Sequence, residues 1–296
     1  MRAYGEALPS LPLSYAKIVR KDRTFYDPAD RKKKQAIRRV RQEYGLILPF
    51  RSVGNEHKEQ TVMSVLTFDK KELGNLEYSL QREMLATDRR GGYMSTTIVC
   101  CNTRRYHGLM VAPIDDSCRT YVLLSSLDET VVQHDQTFNL ALHRFKGVYE
   151  PRGHKYITDF EYTPTPTITY RVGGVILKKE MLWIHKRTQL MIRYTLVDAH
   201  SETRLRLRPF LAFRDKHALT HANMEADGHS YPAVNGVKCR LYGSFPWLYL
   251  QTSKPGTEFV PAPDWYYGFE YQQELARGYE GYEDLLTTGY FEAELK

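Results

Sequence analysis

The 296-residue chain has no run of about 18 consecutive apolar residues, so no membrane-spanning helix is expected. Its N-terminus lacks an apolar stretch leading to a small-residue cleavage site, so no secretory leader is expected and the reading is cytoplasmic. Only four cysteines occur: Cys100, Cys101, Cys118 and Cys239. None forms a CxxC pair and no histidine cluster has zinc-like spacing, which excludes a disulfide framework and a structural metal; buried free thiols are expected. GxSxG, GxGxxG and the phosphate-cradling P-loop are all absent, which argues against a serine hydrolase elbow and against nucleotide chemistry. No cofactor is expected. Long helical periods are also missing until Phe269–Arg277, where a helix is predicted.

The net charge of +7 is unevenly spread. Residues 1–62 hold 14 Lys+Arg against 7 Asp+Glu, and the remainder holds 28 of each. Arg31, Lys32, Lys33, Lys34, Arg38, Arg39 and Arg41 form a basic run among turn formers such as Pro9, Pro12 and Pro28. Such a run can mark a nucleic-acid arm, but no aromatic residues interleave it. Residues 1–62 therefore read as a basic extension, disordered or loosely docked, and neither nucleic acid nor membrane is an expected partner. The composition of a globular domain starts at Met63. A native start at that methionine, with an upstream reading frame adding the rest, would account for the break.

Apolar residues make up 42% of the chain, enough for a sizeable core. A helix end or loop is expected over Leu76–Thr87, and Gly91-Gly92 is expected to turn the chain. Short strand-like runs then recur: Ser95–Cys100, Tyr106–Ala112, Thr120–Leu127, Thr137–Leu142, Thr167–Val172, Val175–Ile184, Leu190–Val197, Thr203–Phe213, Val237–Tyr242 and Trp247–Thr252. Turn signals such as Gly173-Gly174, Asn235-Gly236 and Lys254-Pro255-Gly256 separate them. This spacing predicts a mainly β protein, a large antiparallel β-sandwich over residues 63–296. In Thr203–Phe213 the alternation puts Arg204, Arg206 and Arg208 on one face and Leu205 and Leu207 on the other. That arginine face is either solvated or meets another domain. Val175–Ile184 alternates less cleanly, because Lys178-Lys179-Glu180 interrupts it.

Three constellations carry chemistry. Asn102-Thr103-Arg104-Arg105-Tyr106-His107-Gly108 joins two predicted strands and concentrates two guanidinium groups, a phenol and an imidazole. Those groups suit sugar hydroxyls or the clamping of carboxylates; an ion-pair network that merely holds the turn is the competing reading. Adjacent side chains in an extended chain point apart, so Arg104 and Arg105 are expected to divide. One should hold the turn through a carboxylate such as Asp128 or Glu129, and the other should face outward. In the second group, Arg214, Asp215 and His217 end a predicted strand and read as ligand or domain contacts rather than a catalytic pair. The third holds Trp265, Tyr266, Tyr267 and Glu270, where aromatic rings suit stacking against sugars. Core packing competes there, with at least one ring expected inside and one outside. Glu270, Glu274, Glu280, Glu283 and Asp284 supply carboxylates, but a glycosidase needs two held roughly 5–10 Å apart. Sequence spacing places no pair at that separation, so no catalytic residue is assigned.

Gly91-Gly92-Tyr93 through Asn102–Leu109, Leu123–Glu129, Arg206–Arg214, Phe269-Glu270-Tyr271, Arg277-Gly278 and Glu283-Asp284-Leu285 follow one another in an order that resembles the N-terminal domain of archaeal and bacterial glycogen-debranching enzymes. The resemblance covers about residues 63–296. It implies an amylo-α-1,6-glucosidase family, in which a β-sandwich precedes an (α/α)6 barrel carrying the catalytic acid and base. The expected partners are therefore glycogen or a branched α-glucan and that barrel domain. No run of helical repeats occurs before Lys296, so the chain is expected to be inactive alone. A free-standing carbohydrate-binding protein is the alternative.

Overall fold

A computed structural model describes the backbone of Ser14–Arg20 and residues 66–295 apart from 115–118, 135 and 186. The basic run, the Met63 boundary and Cys118 lie outside the described residues. In chain order the strands are β1 (Ser14–Arg20), β2 (Leu66–Asp69), β3 (Glu83–Thr87), β4 (Tyr93–Thr97), β5 (Gly108–Pro113), β6 (Thr120–Gln133) and β7 (Gln136–Asn139). Then come β8 (Leu142–Phe145), β9 (Val148–Arg152), β10 (Ile157–Tyr162), β11 (Pro166–Val172), β12 (Val175–Trp183) and β13 (Gln189–Ala199). The last are β14 (Thr203–Asp215), β15 (Tyr231–Ala233), β16 (Gly236–Cys239), β17 (Leu248–Thr252), β18 (Glu258–Glu270) and β19 (Tyr282–Leu295).

These strands build the antiparallel sandwich that the spacing predicts, with one addition from outside residues 63–296: β1, from the extension expected to be disordered or loosely docked, pairs with β13 and β17. One sheet of nine strands runs β15-β16-β17-β1-β13-β12-β11-β10-β2. The other, of ten, runs β3-β4-β5-β6-β14-β19-β18-β8-β9, with β7 added beside β6. The main core lies between them and holds Trp183, Tyr170, Tyr194, Phe160, Phe213, Met94 and Met110. The ten-stranded sheet also buries part of its other face. Val111, Val122, Phe210, Ala212, Phe269 and Leu285 form a second apolar cluster there, covered by Tyr93, Phe145 and Tyr266. On β14 this shows as Leu211 in one core and Phe210 and Ala212 in the other.

Alternation is kept more strictly than the sequence suggests. On β12, Val175, Leu177, Lys179, Met181 and Trp183 all point inward, so Lys178 and Glu180 are the outward residues and Lys179 takes a core position. Arg204, Arg206 and Arg208 do share the solvent-side face of β14. Arg204 and Arg206 both pair with Glu292 on β19, and Arg208 donates to the Tyr266 hydroxyl at 2.5 Å. That face is satisfied by its own neighbours.

Helix is scarce. Asp69 closes a capping box with Glu72 and starts α1 (Lys70–Gly74), and the Asn75 side chain caps α2 (Leu76–Leu80). The helix predicted over Phe269–Arg277 reduces to α3 (Gln272–Leu275), because Phe269 and Glu270 end β18. Strand β18 escapes the pattern because it carries Pro261 and Pro263, and its ladder breaks register between Pro261 and Asp264 to accommodate them. Among the described residues no helix is long and apolar enough to cross a membrane.

Candidate functional site

The Asn102–Gly108 turn sits at the end of the sandwich where β14 finishes, β6 and β19 begin and α3 crosses. Asn102 anchors it, accepting from Thr96 Oγ1 at 2.8 Å and donating to the Ser125 carbonyl at 3.1 Å. The Thr103 carbonyl accepts from Gln273 N at 2.9 Å, which ties the turn to α3. The Tyr93 hydroxyl donates to the Tyr106 carbonyl at 2.9 Å, and burial pushes that phenol up to about 12.

The two arginines diverge as expected, but to partners other than Asp128 or Glu129. Arg105 Nε donates to Glu274 Oε2 at 3.2 Å, while Nη1 and Nη2 donate to the carbonyls of His217 (3.0 Å) and Glu280 (3.1 Å). Glu274 on α3 is only 1% exposed and also pairs with Arg277 at 2.7 Å. One guanidinium thus ties three segments together. Arg104 turns the other way and donates to Glu83 on β3 at 2.6 Å, in a half-exposed pair. Asp128 is occupied by His143 (2.8 Å) and Glu129 by Lys179 (2.7 Å), so each carboxylate has a partner outside the turn.

His107 is buried, and its Nδ1 accepts from the Thr103 amide at 3.1 Å, which leaves its proton on Nε2 in the neutral ring. Nε2 lies 3.5 Å from Glu83 Oε1, at the limit of hydrogen-bonding reach. Together His107 and Arg104 hold the Glu83 carboxyl down at about 2, against partial burial that works the other way. Arg104 makes the shorter contact.

Arg214, predicted as a contact residue, is instead a buried strut. Its Nε and Nη2 grip Glu283, the latter at 3.0 Å, and Nη2 also donates to the Arg105 carbonyl at 2.8 Å. Glu283 additionally accepts from the Tyr271 hydroxyl and from Thr220 N at 3.0 Å. Arg214 keeps its charge firmly: burial opposes it, but Glu283 outweighs burial and raises its pKa. Asp215 accepts from the backbone N of His217 at 2.8 Å, so its carboxylate shapes the turn rather than engaging the imidazole. The His217 ring faces outward. It stands edge-on to Tyr106 at 5.5 Å, with Nδ1 3.3 Å from the phenol oxygen.

The third constellation divides by strand alternation. Trp265 packs on the main core, Tyr266 on the second cluster, and Tyr267 is 66% exposed. On β18 Trp265 lies opposite Leu286 and Tyr266 opposite Leu285. Glu270 is buried, 3.2 Å from Arg144 Nε, and accepts from Gly147 N at 2.6 Å. It holds the β8–β9 hairpin.

Arg105, Tyr106 and His217 therefore share one end with Arg214 beneath them, Arg104 and His107 flank it at Glu83, and Trp265, Tyr266, Tyr267 and Glu270 make other contacts. In the sequence Glu274 and Glu283 are distinguished only as carboxylates. Their role as arginine acceptors was signalled by one local feature, the i,i+3 spacing of Glu274 and Arg277. Hydrogen bonds from their neighbours lower the carboxyl pKa of Glu83, Asp227 and Glu292. No group of three or more His, Cys, Asp or Glu among the described residues is placed to hold a metal.

A family model described as "Glycogen debranching enzyme N terminal" matches residues 82–296. Neither the curated proteins nor the solved structures give a match.

Proposed function

The chain belongs to the glycogen debranching enzyme N-terminal family, and from that membership we propose that it is the accessory, glucan-contacting sandwich of an enzyme that hydrolyses α-1,6 branch stubs in glycogen. The observation that carries this reading is the family match across residues 82–296, which spans both sheets from before β3 to the last strand. In this reading the two sheets are a rigid support, and the Arg105 end is the working face. The buried Arg214–Glu283 and Arg105–Glu274 pairs fix the backbone of that end, so Tyr106 and His217 are presented outward in one arrangement. Loops on a rigid scaffold are where contacts to ligands and partner domains concentrate.

The hydrolytic carboxylates belong to a different, helical domain of the parent enzyme. The test is glucose release from a phosphorylase limit dextrin, measured with the chain alone and with the chain joined to an (α/α)6 barrel of the family. Activity is expected only in the joined form and should fall in Tyr106→Ala and His217→Ala. Hydrolysis by the chain alone, abolished by replacing one of its own carboxylates, would overturn the proposal.

A further inference from the structure

Residues 216–231 lead from His217 to an aromatic corner on the nine-stranded sheet. The corner stays at the same end of the sandwich, since Phe245 packs edge-on against Tyr121 at 5.4 Å and Phe213 at 5.6 Å. Two residues later Trp247 meets Tyr231 edge-on, with ring centroids 5.2 Å apart. Lys238 Nζ lies 4.7 Å and the Arg240 guanidinium 4.5 Å from the Trp247 ring centroid. Tyr231 is 39% exposed and its hydroxyl donates to Asp227 Oδ2 at 2.9 Å. His229 grips the other oxygen of the same carboxylate, through its backbone N at 3.0 Å and through Nδ1 at 2.7 Å.

A cation–aromatic ladder on a solvated sheet face accounts for Lys238, Arg240 and Trp247. It does not account for His229 and the fully exposed Met224, which occupy a connecting segment where small polar residues would suffice, nor for the exposure of Tyr231, which opens β15 opposite Lys238. The Asp227 bonds also restrict the Tyr231 ring, which lowers the ordering cost of any ligand stacked on it. A pyranose has an apolar C–H face and a rim of hydroxyls. An exposed ring bordered by a fixed carboxylate, an imidazole and two cations matches both.

We propose that Tyr231, Trp247, Asp227, His229, Lys238 and Arg240 form a binding site for a linear α-glucan chain, reached from the Tyr106–His217 end along residues 216–231. The choice of an α-glucan rests on the family reading above; the existence of a site rests on the corner itself. Along the way Asn223 Nδ2 donates to the Tyr242 hydroxyl at 2.9 Å, and His221 Nε2 lies 3.3 Å from Glu280, so polar groups line the interval. A branched polymer held here as well as at the working end would be retained by two contacts at once, which raises its effective concentration at the second.

Native electrophoresis of the full chain in gels containing glycogen, with maltoheptaose as competitor, tests this. The wild-type chain should be retarded and released by the competitor. Tyr231→Ala and Trp247→Ala should each weaken retention about fivefold. Tyr231→Phe, which keeps the ring, should stay near wild type, as should Val197→Ala at an exposed apolar position elsewhere on the same sheet. Tyr231 is exposed, so its removal should leave the fold intact, and circular dichroism checks that. Retention equal to wild type in both alanine variants overturns the site and leaves the glucan-contacting working end untouched, whereas absence of retardation in the wild type overturns both. Retention on a β-1,4-glucan but not on glycogen overturns the α-glucan assignment together with the family-based reading of substrate.

Discussion

Lys179 of β12 and Glu129 of β6 meet at 2.7 Å from opposite sheets, with both side chains buried in the main core. Tyr194 donates to the same carboxylate at 2.5 Å, and Lys179 Nζ lies 3.8 Å from Cys100 Sγ. Burial works against the lysine charge, but the Cys100 sulfur and the Glu129 carboxylate outweigh it and raise its pKa. The pair bolts one layer to the other at a fixed register. Replacing Lys179 by Met should cost about 3–5 kcal/mol, because a buried carboxylate is left with one donor. Adding Glu129→Gln should recover part of that loss. Urea denaturation of the two single variants and the double variant measures the coupling; strictly additive losses would argue against a cross-sheet ion pair.

The Arg105 and Arg104 pairs should separate by burial. Arg105→Ala removes one of the two guanidinium partners of an inward carboxylate and two hydrogen bonds to backbone carbonyls, and should cost about 2–3 kcal/mol. Arg104→Ala breaks a half-exposed pair and should cost about 1 kcal/mol or less. Thermal unfolding ranks them, and equal small losses would reduce the turn to an ordinary solvated loop.

Arg214→Lys keeps the charge but loses the fork that grips both oxygens of Glu283 and the Arg105 carbonyl. A lysine ammonium cannot reproduce that planar geometry. A loss of about 2–4 kcal/mol is expected, with faster amide exchange around Thr220, whose N binds the same carboxylate. Unchanged exchange at Thr220 would count against the strut.

Glu83 makes an acid-side prediction. Its carboxyl is held at about 2 in the fold against an ordinary 4.5, so the folded state favours its ionised form. The stabilisation is complete above pH 4.5 and disappears as pH falls towards 2. Solvent exposure of the pair keeps its size small. Wild type and Glu83→Gln should therefore differ in stability at pH 6 and converge near pH 2. A difference that stays constant over that range would show that the carboxylate charge is not responsible.

Strand identity was largely local information. The alternation of Arg204–Arg208 with Leu205 and Leu207, and turn pairs such as Gly173-Gly174 and Asn235-Gly236, mark their elements because a pleated strand and a left-handed turn impose requirements on neighbouring residues. The elements that escaped show where this fails. In β18 prolines interrupt the pattern, and in β19 the ladder to β14 shifts register beyond Leu207. The inward position of Lys179 was hidden by its flanking charges, since one buried cation looks like a break in an apolar run until its partner is known.

The chain's own residues were enough to establish a mainly β architecture, the Asn102–Gly108 turn and the divergence of Arg104 from Arg105, because each depends on residues a few positions apart. Which carboxylate each arginine meets was settled only by the fold. Glu274 is 169 positions from Arg105, and Glu283 is 69 from Arg214. At such separations many acidic residues are equivalent in sequence. Sheet order and register, and for Glu274 the seating of α3 against the turn, bring one of them within hydrogen-bonding distance, and burial of that one makes the pairing matter to stability.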